Sequence, residues 1–244
     1  MKKYILSLLA FGLVAVSYGQ VVQARVLKVD PMNMEKLGNA IAQKTKLYNN
    51  KEGSARFFTF QILTGNQANN FYRVQWAQDI SDFDKAVNKE ELDYWWKTTG
   101  KLHESLANRI WAVNSEATYQ PEDARTGNHR RVLYYKLKAG KEKDFWRYRT
   151  RLKAALKASG WPSRVGVMNC QSGCNGRWVQ IRYHHESFAG EAKDNQEMFP
   201  VVVAKYNEMY GEEAYKDDSD RLAQSVSDSW TQHQKLRPEM SSNW

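Results

Sequence analysis

The sequence predicts an α+β protein built from two consecutive copies of one βαββαβ unit. Two observations predict this fold: the elements follow in the same order twice, and short matching sequences recur at a nearly constant distance. The elements are recognised by periodicity, because a half-buried strand alternates apolar and polar residues whereas a helix repeats its apolar face every three or four positions. We expect the antiparallel sheets of the two copies to enclose a common inner space.

The second copy shows the element order most clearly. Residues 130–140 alternate apolar and polar side chains and predict a strand, and residues 141–160 predict a basic amphipathic helix that ends at Gly160. Residues 162–185 then predict two strands joined by a tight loop that contains glycine and asparagine. The first copy repeats this order in a strand at 24–30, a helix at 31–50 and a hairpin at 55–80.

Short sequences recur in the two copies. Arg25-Val26-Leu27 matches Arg131-Val132-Leu133 at a distance of 106 residues, and Val74-Gln75-Trp76 resembles Ile181-Arg182-Tyr183 at a distance of 107 residues. Each copy then continues into a long helical region and a strand that carries a tryptophan. These segments are 81–109 and 110–119 in the first copy, and 188–228 and 229–236 in the second. Identity is sparse, so a chance match is the alternative to a duplication.

The first nineteen residues predict a secretory signal peptide. Two lysines open the segment, residues 4–16 are mostly apolar, and small residues precede a cleavage site before Gln20. The apolar run is short for a membrane-spanning helix, so an uncleaved anchor is the weaker alternative. We therefore expect a soluble mature protein in the periplasm or outside the cell. The expected domains are signal peptide 1–19, repeat 20–120, linker 121–129 and repeat 130–244.

The composition is basic and rich in aromatic residues. The formal net charge is +9, and the chain has 9 Trp, 13 Tyr and 9 Phe. The basic residues are spread along the chain, which together with export argues against nucleic acid as a partner. A basic solvated surface is the ordinary explanation for most of them. The aromatic residues can form the core or the walls of a ligand site.

Cys170 and Cys174, the two cysteines of the sequence, predict a disulfide across the hairpin loop of the second copy. A redox-active pair is the alternative, although the spacing is not that of a CxxC motif. His184 and His185 are near in sequence, but neighbouring residues of a strand point to opposite faces, so both cannot easily join the cysteines around a metal. We expect no metal site, and no cofactor is evident from the sequence.

The predicted arrangement resembles the dimeric α+β barrel superfamily, with two ferredoxin-like units in one chain replacing the usual homodimer. The resemblance covers nearly all of the mature chain. It rests on element order and on a loose pattern in which Val74-Gln75-Trp76 and Ile181-Arg182-Tyr183 are each followed by a serine and a phenylalanine. It implies two fused repeats that form an internal pseudo-dimeric α+β barrel within a monomer.

The superfamily includes antibiotic-biosynthesis monooxygenases, which often work without a metal, and haem-degrading enzymes. The haem-degrading members rely on an Asn, a Trp and a His. Trp76 has a family-like position, but Lys28 and Tyr134 stand where the Asn would be, and His103 has no support from the rest of the pattern. The triad therefore does not transfer to this sequence.

Strand alternation predicts which side chains face the space between the repeats. Two apolar sets on the third strands should lie under the helices: Tyr72, Val74 and Trp76, and Val179, Ile181 and Tyr183. The opposite face would then be polar, basic and aromatic. The candidate ligand-binding residues on it are Lys28, Arg73, Tyr134, Lys136, Trp178, Arg182 and His184. A slip of one residue in a strand would invert its assignment.

These residues favour a site for a small anionic or aromatic molecule, because cationic side chains bind carboxylates and aromatic rings form walls. Solvent exposure of the same residues is the alternative. A second hypothesis is a cofactor-independent monooxygenase-like enzyme, with His184 as a general base. A third is a non-catalytic envelope protein that binds a partner through residues 94–97, whose adjacent aromatic side chains cannot all face one core. The sequence leaves open whether the protein is an enzyme.

Overall fold

The computed structural model describes residues 20–243, and its eight strands form a closed antiparallel barrel. The strands are β1 (Val21–Val29), β2 (Arg56–Ile62), β3 (Phe71–Ala77), β4 (His103–Val113), β5 (His129–Leu137), β6 (Val165–Ser172), β7 (Trp178–His185) and β8 (Val226–Leu236). The predicted signal peptide lies outside the described residues. Within residues 20–243, no helix combines the length and apolar character that a membrane crossing requires.

Helices pack against the outer face of the barrel. They are α1 (Met34–Tyr48), α2 (Lys89–Thr99), α3 (Glu142–Ala158), α4 (Phe188–Lys193), α5 (Phe199–Tyr210) and α6 (Ala214–Ser225). A π-helical segment, Asp194–Met198, joins α4 to α5. Short 3-10 turns occupy Pro31–Asn33, Ile80–Asp84 and Pro238–Met240. The α+β class and the barrel predicted from the sequence are confirmed.

The strand order is the same in the first half of the molecule, β1 to β4, and in the second half, β5 to β8. It runs β4-β1-β3-β2 in the first half and β8-β5-β7-β6 in the second. Pairing of β2 with β8 and of β4 with β6 closes the barrel. The division into two ferredoxin-like repeats with a linker at 121–129 stays a prediction.

The two long helical regions are shorter in the structure than the sequence suggested. The first, 81–109, contains a 3-10 turn and α2, and strand β4 already begins at His103. Leu106, expected on a helix, belongs to β4 and packs inside the barrel. The second region, 188–228, contains three helices and the start of β8. Pairing with β1 and β6 makes the segment His103–Val113 a strand, and the helical spacing between Leu102 and Leu106 is coincidental.

Three hydrophobic clusters form the core. One lies between the first half of the sheet and its helices and includes Leu27, Phe71 and Trp95. A second lies under α3 and α5 in the second half, where Leu152 and Leu156 are almost fully buried as their helical spacing predicts. The third fills the interior of the barrel. Burial at about 25 cal/mol per Å² of apolar surface makes these clusters the main source of stability.

The predicted face of the third strand is right in the second half and wrong in the first. In β7, Val179, Ile181 and Tyr183 pack under the helices. In β3, the set Tyr72, Val74 and Trp76 lies inside the barrel instead. Register is the reason: Leu27 pairs with Phe71 and Leu133 pairs with Ile181, so the equivalent of Ile181 is Phe71 and not Val74.

The structure contains the disulfide between Cys170 and Cys174. Cys170 belongs to β6 and Cys174 to the turn that leads into β7, so the bond closes this hairpin as predicted. Chain-entropy arguments give such a short loop about 2 kcal/mol of stabilisation or less.

Candidate functional site

A cavity of about 1110 Å³ opens at one end of the barrel. This end is formed by the beginnings of β2, β5 and β6 and by the ends of β3 and β7. Two different walls meet in it. Three aromatic side chains of the first half, Phe58, Phe60 and Trp76, line one wall, and four basic side chains of the second half line the other: Arg130, Arg164, Arg182 and His184.

Neighbouring side chains hold two of the arginines in place. The guanidinium of Arg130 lies 3.3 Å from the ring centroid of Phe60, and its Nε and Nη2 donate to Gln234 Oε1 at 2.9 and 2.6 Å. Arg182 Nε donates to Gln180 Oε1 at 2.6 Å. Both guanidinium groups therefore have amide oxygens as neutral acceptors.

Arg164 lies in the segment before β6 and completes the basic wall. Its guanidinium is 5.8 Å from the ring centroid of Trp76. Gly166 lies between Arg164 and Arg182, since a Cβ at this glycine would be 3.8 Å from Arg164 Nε and from Arg182 Cβ. A larger residue at Gly166 would reduce the space between the two arginines.

Within residues 20–243, no carboxylate forms an ion pair with Arg130, Arg164 or Arg182. Two acidic residues also line the cavity, but Asp82 is paired with Lys85 and Glu91 with Lys44. Arg182 Nη2 and Arg164 Nε are buried without a hydrogen-bond partner. Buried cations without a counter-charge cost free energy, so this wall carries unsatisfied positive charge.

The pKa values of these groups are lowered, chiefly because the groups are buried. Burial, followed by the charge of Arg182, lowers the pKa of Arg130 well below its usual value, and burial also lowers the pKa of Arg164 and Arg182. Guanidinium groups nevertheless remain protonated in proteins. Burial and the three arginines lower the pKa of His184 well below 6.5, so its imidazole is neutral at neutral pH.

A buried network of phenols and amides lies next to the cavity. Gln180 Nε2 donates to Tyr134 Oη at 2.6 Å, while Gln180 Oε1 accepts from Arg182. The Tyr134 ring stacks on Trp230 with 3.7 Å between centroids. Burial raises the pKa of Tyr134, so its phenol keeps its proton. The hydrogen bond to Gln180 therefore holds Arg182 in place at the cavity.

The seven predicted ligand-binding residues do not form one site. Arg182 and His184 line the cavity, and Tyr134 is buried just beneath it. Lys136 and Trp178 pair with each other across β5 and β7 near the other end of the barrel. Lys28 also lies at that end, where its largely exposed side chain is 3.7 Å from Glu104. Strand alternation correctly predicts that Lys28, Lys136 and Trp178 lie on the interior face. They lie, however, at the end of the barrel away from the cavity.

Arg73 is a correction to the predicted site. Its side chain is 1% exposed and points into the layer between the sheet and the helices, away from the barrel interior. Arg73 Nη1 donates to Thr59 Oγ1 at 2.6 Å and to the carbonyl oxygen of Met240 at 3.2 Å. Burial, and then the charge of Arg25, lowers the pKa of Arg73 to about 9. The inverted face of β3 explains the error.

The sequence analysis missed Arg130, Arg164 and the aromatic wall. A signal for Arg130 was present, because alternation backward from Tyr134 through Val132 reaches it on the same face. Arg164 lies outside a strand, so no periodicity could place it. In the segment 94–97, Trp95 is buried in the core whereas Trp96 is 59% exposed.

No protein-family model and no curated protein matches the chain. Solved structures do match. A candidate monooxygenase from Lactobacillus acidophilus NCFM superposes with a TM-score of 0.58 at 9% identity, over 92% of this chain and 96% of that one. An anthrone oxidase-like protein gives 0.55 at 12% identity, over 90% and 92%. Both likenesses concern the fold.

A third similar structure is a mutant chlorite dismutase from Candidatus Nitrospira defluvii. It superposes with a TM-score of 0.54 at 12% identity, over 91% of this chain and 92% of that one. The three proteins share one barrel architecture across nearly the whole length of each chain. At such identities the likeness extends to the fold and not to the residues of a site.

Proposed function

We propose that this protein, which has the fold of the dimeric α+β barrel superfamily, binds a small organic anion with an aromatic or apolar body in the cavity. The observation that carries the proposal is the set of three arginines without carboxylate partners, Arg130, Arg164 and Arg182. A carboxylate or sulfonate between them would accept charge-assisted hydrogen bonds and supply the missing counter-charge.

The aromatic wall supports an aromatic or apolar body for the ligand. Phe58, Phe60 and Trp76 line the cavity beside the arginines and offer rings for stacking. The volume of about 1110 Å³ is at the upper end of the range for small-molecule sites. A ligand with a charged group at one end and an aromatic body at the other would fit both walls.

Fluorescence titration with anilinonaphthalene sulfonate, an aromatic sulfonate, tests this proposal. We expect saturable binding of one probe per chain, and we expect Arg182→Met to weaken it at least about tenfold, or about 1.4 kcal/mol. Lys136→Met is the matched control, because it removes an equal charge from the interior face at the other end of the barrel. Its affinity should equal that of the wild type.

Equal affinities of Arg182→Met and wild type would contradict the proposal. Thermal unfolding of each variant verifies that it is folded. Binding of the probe to a loosened structure would not saturate at one probe per chain, so the stoichiometry of the titration is a second check. A native mass spectrum of the mature protein from its own host comes before the titration. A monomer with a stoichiometric extra mass would identify the natural ligand, which should then displace the probe in the same titration.

Oxidation of the bound molecule is a second candidate function. The fold neighbours named a candidate monooxygenase and an anthrone oxidase-like protein favour it, together with the neutral imidazole of His184 beside three guanidinium groups. A neutral imidazole can accept a proton from an acidic aromatic substrate, and the arginines would stabilise the resulting anion. Molecular oxygen would then oxidise this anion directly, without a cofactor.

Oxygen uptake with anthrone as the probe distinguishes turnover from binding. Under the oxidation hypothesis, the wild type consumes oxygen above the uncatalysed rate, and His184→Gln loses this activity while still binding anilinonaphthalene sulfonate. Binding of anilinonaphthalene sulfonate without oxygen uptake in the presence of anthrone would leave the ligand-binding function alone.

We also propose that the protein is exported and that it functions as a monomer made of two ferredoxin-like repeats. The apolar N-terminal segment and the disulfide support export. The equal strand order of the two halves supports the repeats. N-terminal sequencing of the mature protein should begin at Gln20, and light scattering should give the mass of one chain. A dimer would contradict the proposed monomeric state.

A further inference from the structure

A second cluster of functional side chains lies on the outer face of β5 and β8. His129 and Arg130 are neighbours in β5, so His129 points away from the barrel interior that holds Arg130. His233 in β8 lies on the same outer face, because it pairs with Arg131. Glu191 in α4 covers both histidines. We propose that His129, His233 and Glu191 form a binding site for a divalent transition-metal ion, with Zn²⁺ as the best fit.

The three side chains converge on one point. Glu191 Oε2 is 3.3 Å from His129 Nε2 and 3.1 Å from His233 Nε2. One ligand atom from each residue lies within 4.8 Å of the other two. Tetrahedral Zn²⁺ with ligands at about 2.0–2.1 Å needs neighbouring ligand atoms about 3.4 Å apart. The two oxygen-to-nitrogen distances already match this spacing, so a small movement of one imidazole would complete the triangle.

The surroundings preorganise the cluster. His129 is 4% and Glu191 7% exposed, and the ring of Phe188 covers both imidazoles with centroid distances of 4.3 and 5.0 Å. Thr64 Oγ1 is 3.2 Å from His233 Nδ1 and can accept its N–H, which leaves Nε2 bare for a metal. Such a hydrogen bond to the second ring nitrogen is the usual support of a metal-bound histidine.

The donor set decides which ions are suitable. Two imidazole nitrogens and one carboxylate oxygen suit Zn²⁺ and other late divalent ions, whereas Ca²⁺ and Mg²⁺ prefer oxygen donors alone. Three protein ligands leave one position of a tetrahedron for water, as in catalytic zinc sites.

One feature of the cluster acts against a cation. Arg131 Nη1 is 3.7 Å from Glu191 Oε1 and already offers it a positive charge. The alternative to a metal is therefore a structural hydrogen-bond group, in which imidazole N–H groups donate to the Glu191 carboxylate. This alternative predicts no stoichiometric metal binding. The neighbouring ion pairs of Asp194 with His185 and Arg125 are separate from Glu191 and remain in either case.

Metal titration of the full mature chain, prepared without a polyhistidine tag and freed of metal by chelation, tests the site. We expect one Zn²⁺ per chain by calorimetry, with a dissociation constant of about 1 μM or tighter. Co²⁺ should give the visible ligand-field bands of a four-coordinate site. Zn²⁺ should also raise the melting temperature of the wild type.

Two variants and a control assign the site to the cluster. Glu191→Gln keeps an oxygen that accepts imidazole N–H but removes the charged ligand, and His233→Gln changes a partly exposed side chain. Each should weaken Zn²⁺ binding at least about 100-fold, beyond the usual cost of losing an outer-shell contact. His103→Gln, which alters a histidine at the start of β4, should bind as the wild type does.

Two results would overturn the proposal. The first is no stoichiometric binding by the folded wild type up to about 1 mM Zn²⁺, an affinity of about −4.1 kcal/mol. The second is unchanged Zn²⁺ affinity in both Glu191→Gln and His233→Gln. Melting curves of the metal-free variants verify that each is folded. If one variant does not fold, the other is compared with the wild type by itself. Neither result depends on the arginine site, since anilinonaphthalene sulfonate binding is measured separately.

Discussion

Arg73 in β3 and Arg182 in β7 are two buried arginines on corresponding strands of the two halves, but they point into different layers. Arg73 lies between the sheet and the helices, where hydroxyl and carbonyl oxygens accept its hydrogen bonds. Arg182 lies inside the barrel and lines the cavity, whereas Arg73 does not. Each arginine has one buried guanidinium nitrogen without a hydrogen-bond partner, Nε of Arg73 and Nη2 of Arg182, so the cavity is what distinguishes them. The first arginine therefore has a structural environment, and the second has the environment of a ligand site.

The interior walls of the two halves differ in the same way as these two arginines. The interior wall of the first half is apolar, with Val22, Val26 and Val74 almost fully buried. The interior wall of the second half is polar, with Gln180, Gln232 and Gln234 beside its arginines. In the first half the buried cations lie behind the sheet, where burial lowers the pKa of Lys44 to about 8. A barrel made of two similar halves thus has one apolar wall and one cationic wall.

The largest expected effect concerns stability at Arg73. Arg73→Ala should lower the free energy of unfolding by about 2–4 kcal/mol, because it leaves a closed void and removes the donor of three oxygen acceptors. Arg182→Ala should cost less than about 1 kcal/mol, since its side chain borders an open cavity. Urea denaturation of both variants measures the difference. Equal losses would mean that the two arginines have equivalent structural roles.

A smaller effect separates the two walls of the cavity. Trp76→Ala should weaken binding of anilinonaphthalene sulfonate about two- to tenfold, because stacking between the probe and the indole ring is lost, which is worth about 0.5–1.5 kcal/mol. Its affinity for sulfate, an anion without an aromatic body, should not change. Arg182→Met should weaken both. Parallel titrations with the two anions check this, and equal loss of both anions in Trp76→Ala would contradict separate roles for the walls.

The smallest effect is the pH dependence contributed by His184. Its lowered pKa means that the unfolded chain takes up a proton near pH 6.5 while the folded chain does not. Stability is therefore fully present above about pH 6.5 and falls as the pH decreases, by about 1 kcal/mol at pH 5.5 for one group. His184→Gln should remove this part of the decline. His129, whose pKa is also lowered, should leave a remainder.

Denaturant midpoints at a series of pH values measure this decline. An identical slope in wild type and His184→Gln would contradict the assigned cause. Saturating sulfate offers a second check on the wild type. An anion bound beside the three arginines would raise the pKa of His184 toward 6.5, and the decline should become shallower.

Local pattern was sufficient to predict much of this fold. Alternation in β5 and β7 correctly separates helix-facing Leu133 and Ile181 from interior Tyr134 and Arg182, because one face of each strand is clearly more apolar. The cysteine spacing predicts the disulfide across the β6–β7 hairpin. In β3, the more apolar face packs inside the barrel and the face with Arg73 lies under the helices, so the prediction for Arg73 and Tyr72 is inverted.

The sequence by itself determined the α+β class, the strand order along the chain, the disulfide and the inward direction of Arg182 and His184. The tertiary structure decided which end of the barrel each inward residue occupies, and so separated Lys136 and Trp178 from Arg182. It also brought together Arg130, Arg164 and Arg182, and His129, Glu191 and His233. Periodicity within a strand fixes a direction, whereas height in the barrel and contacts between distant segments depend on register and closure.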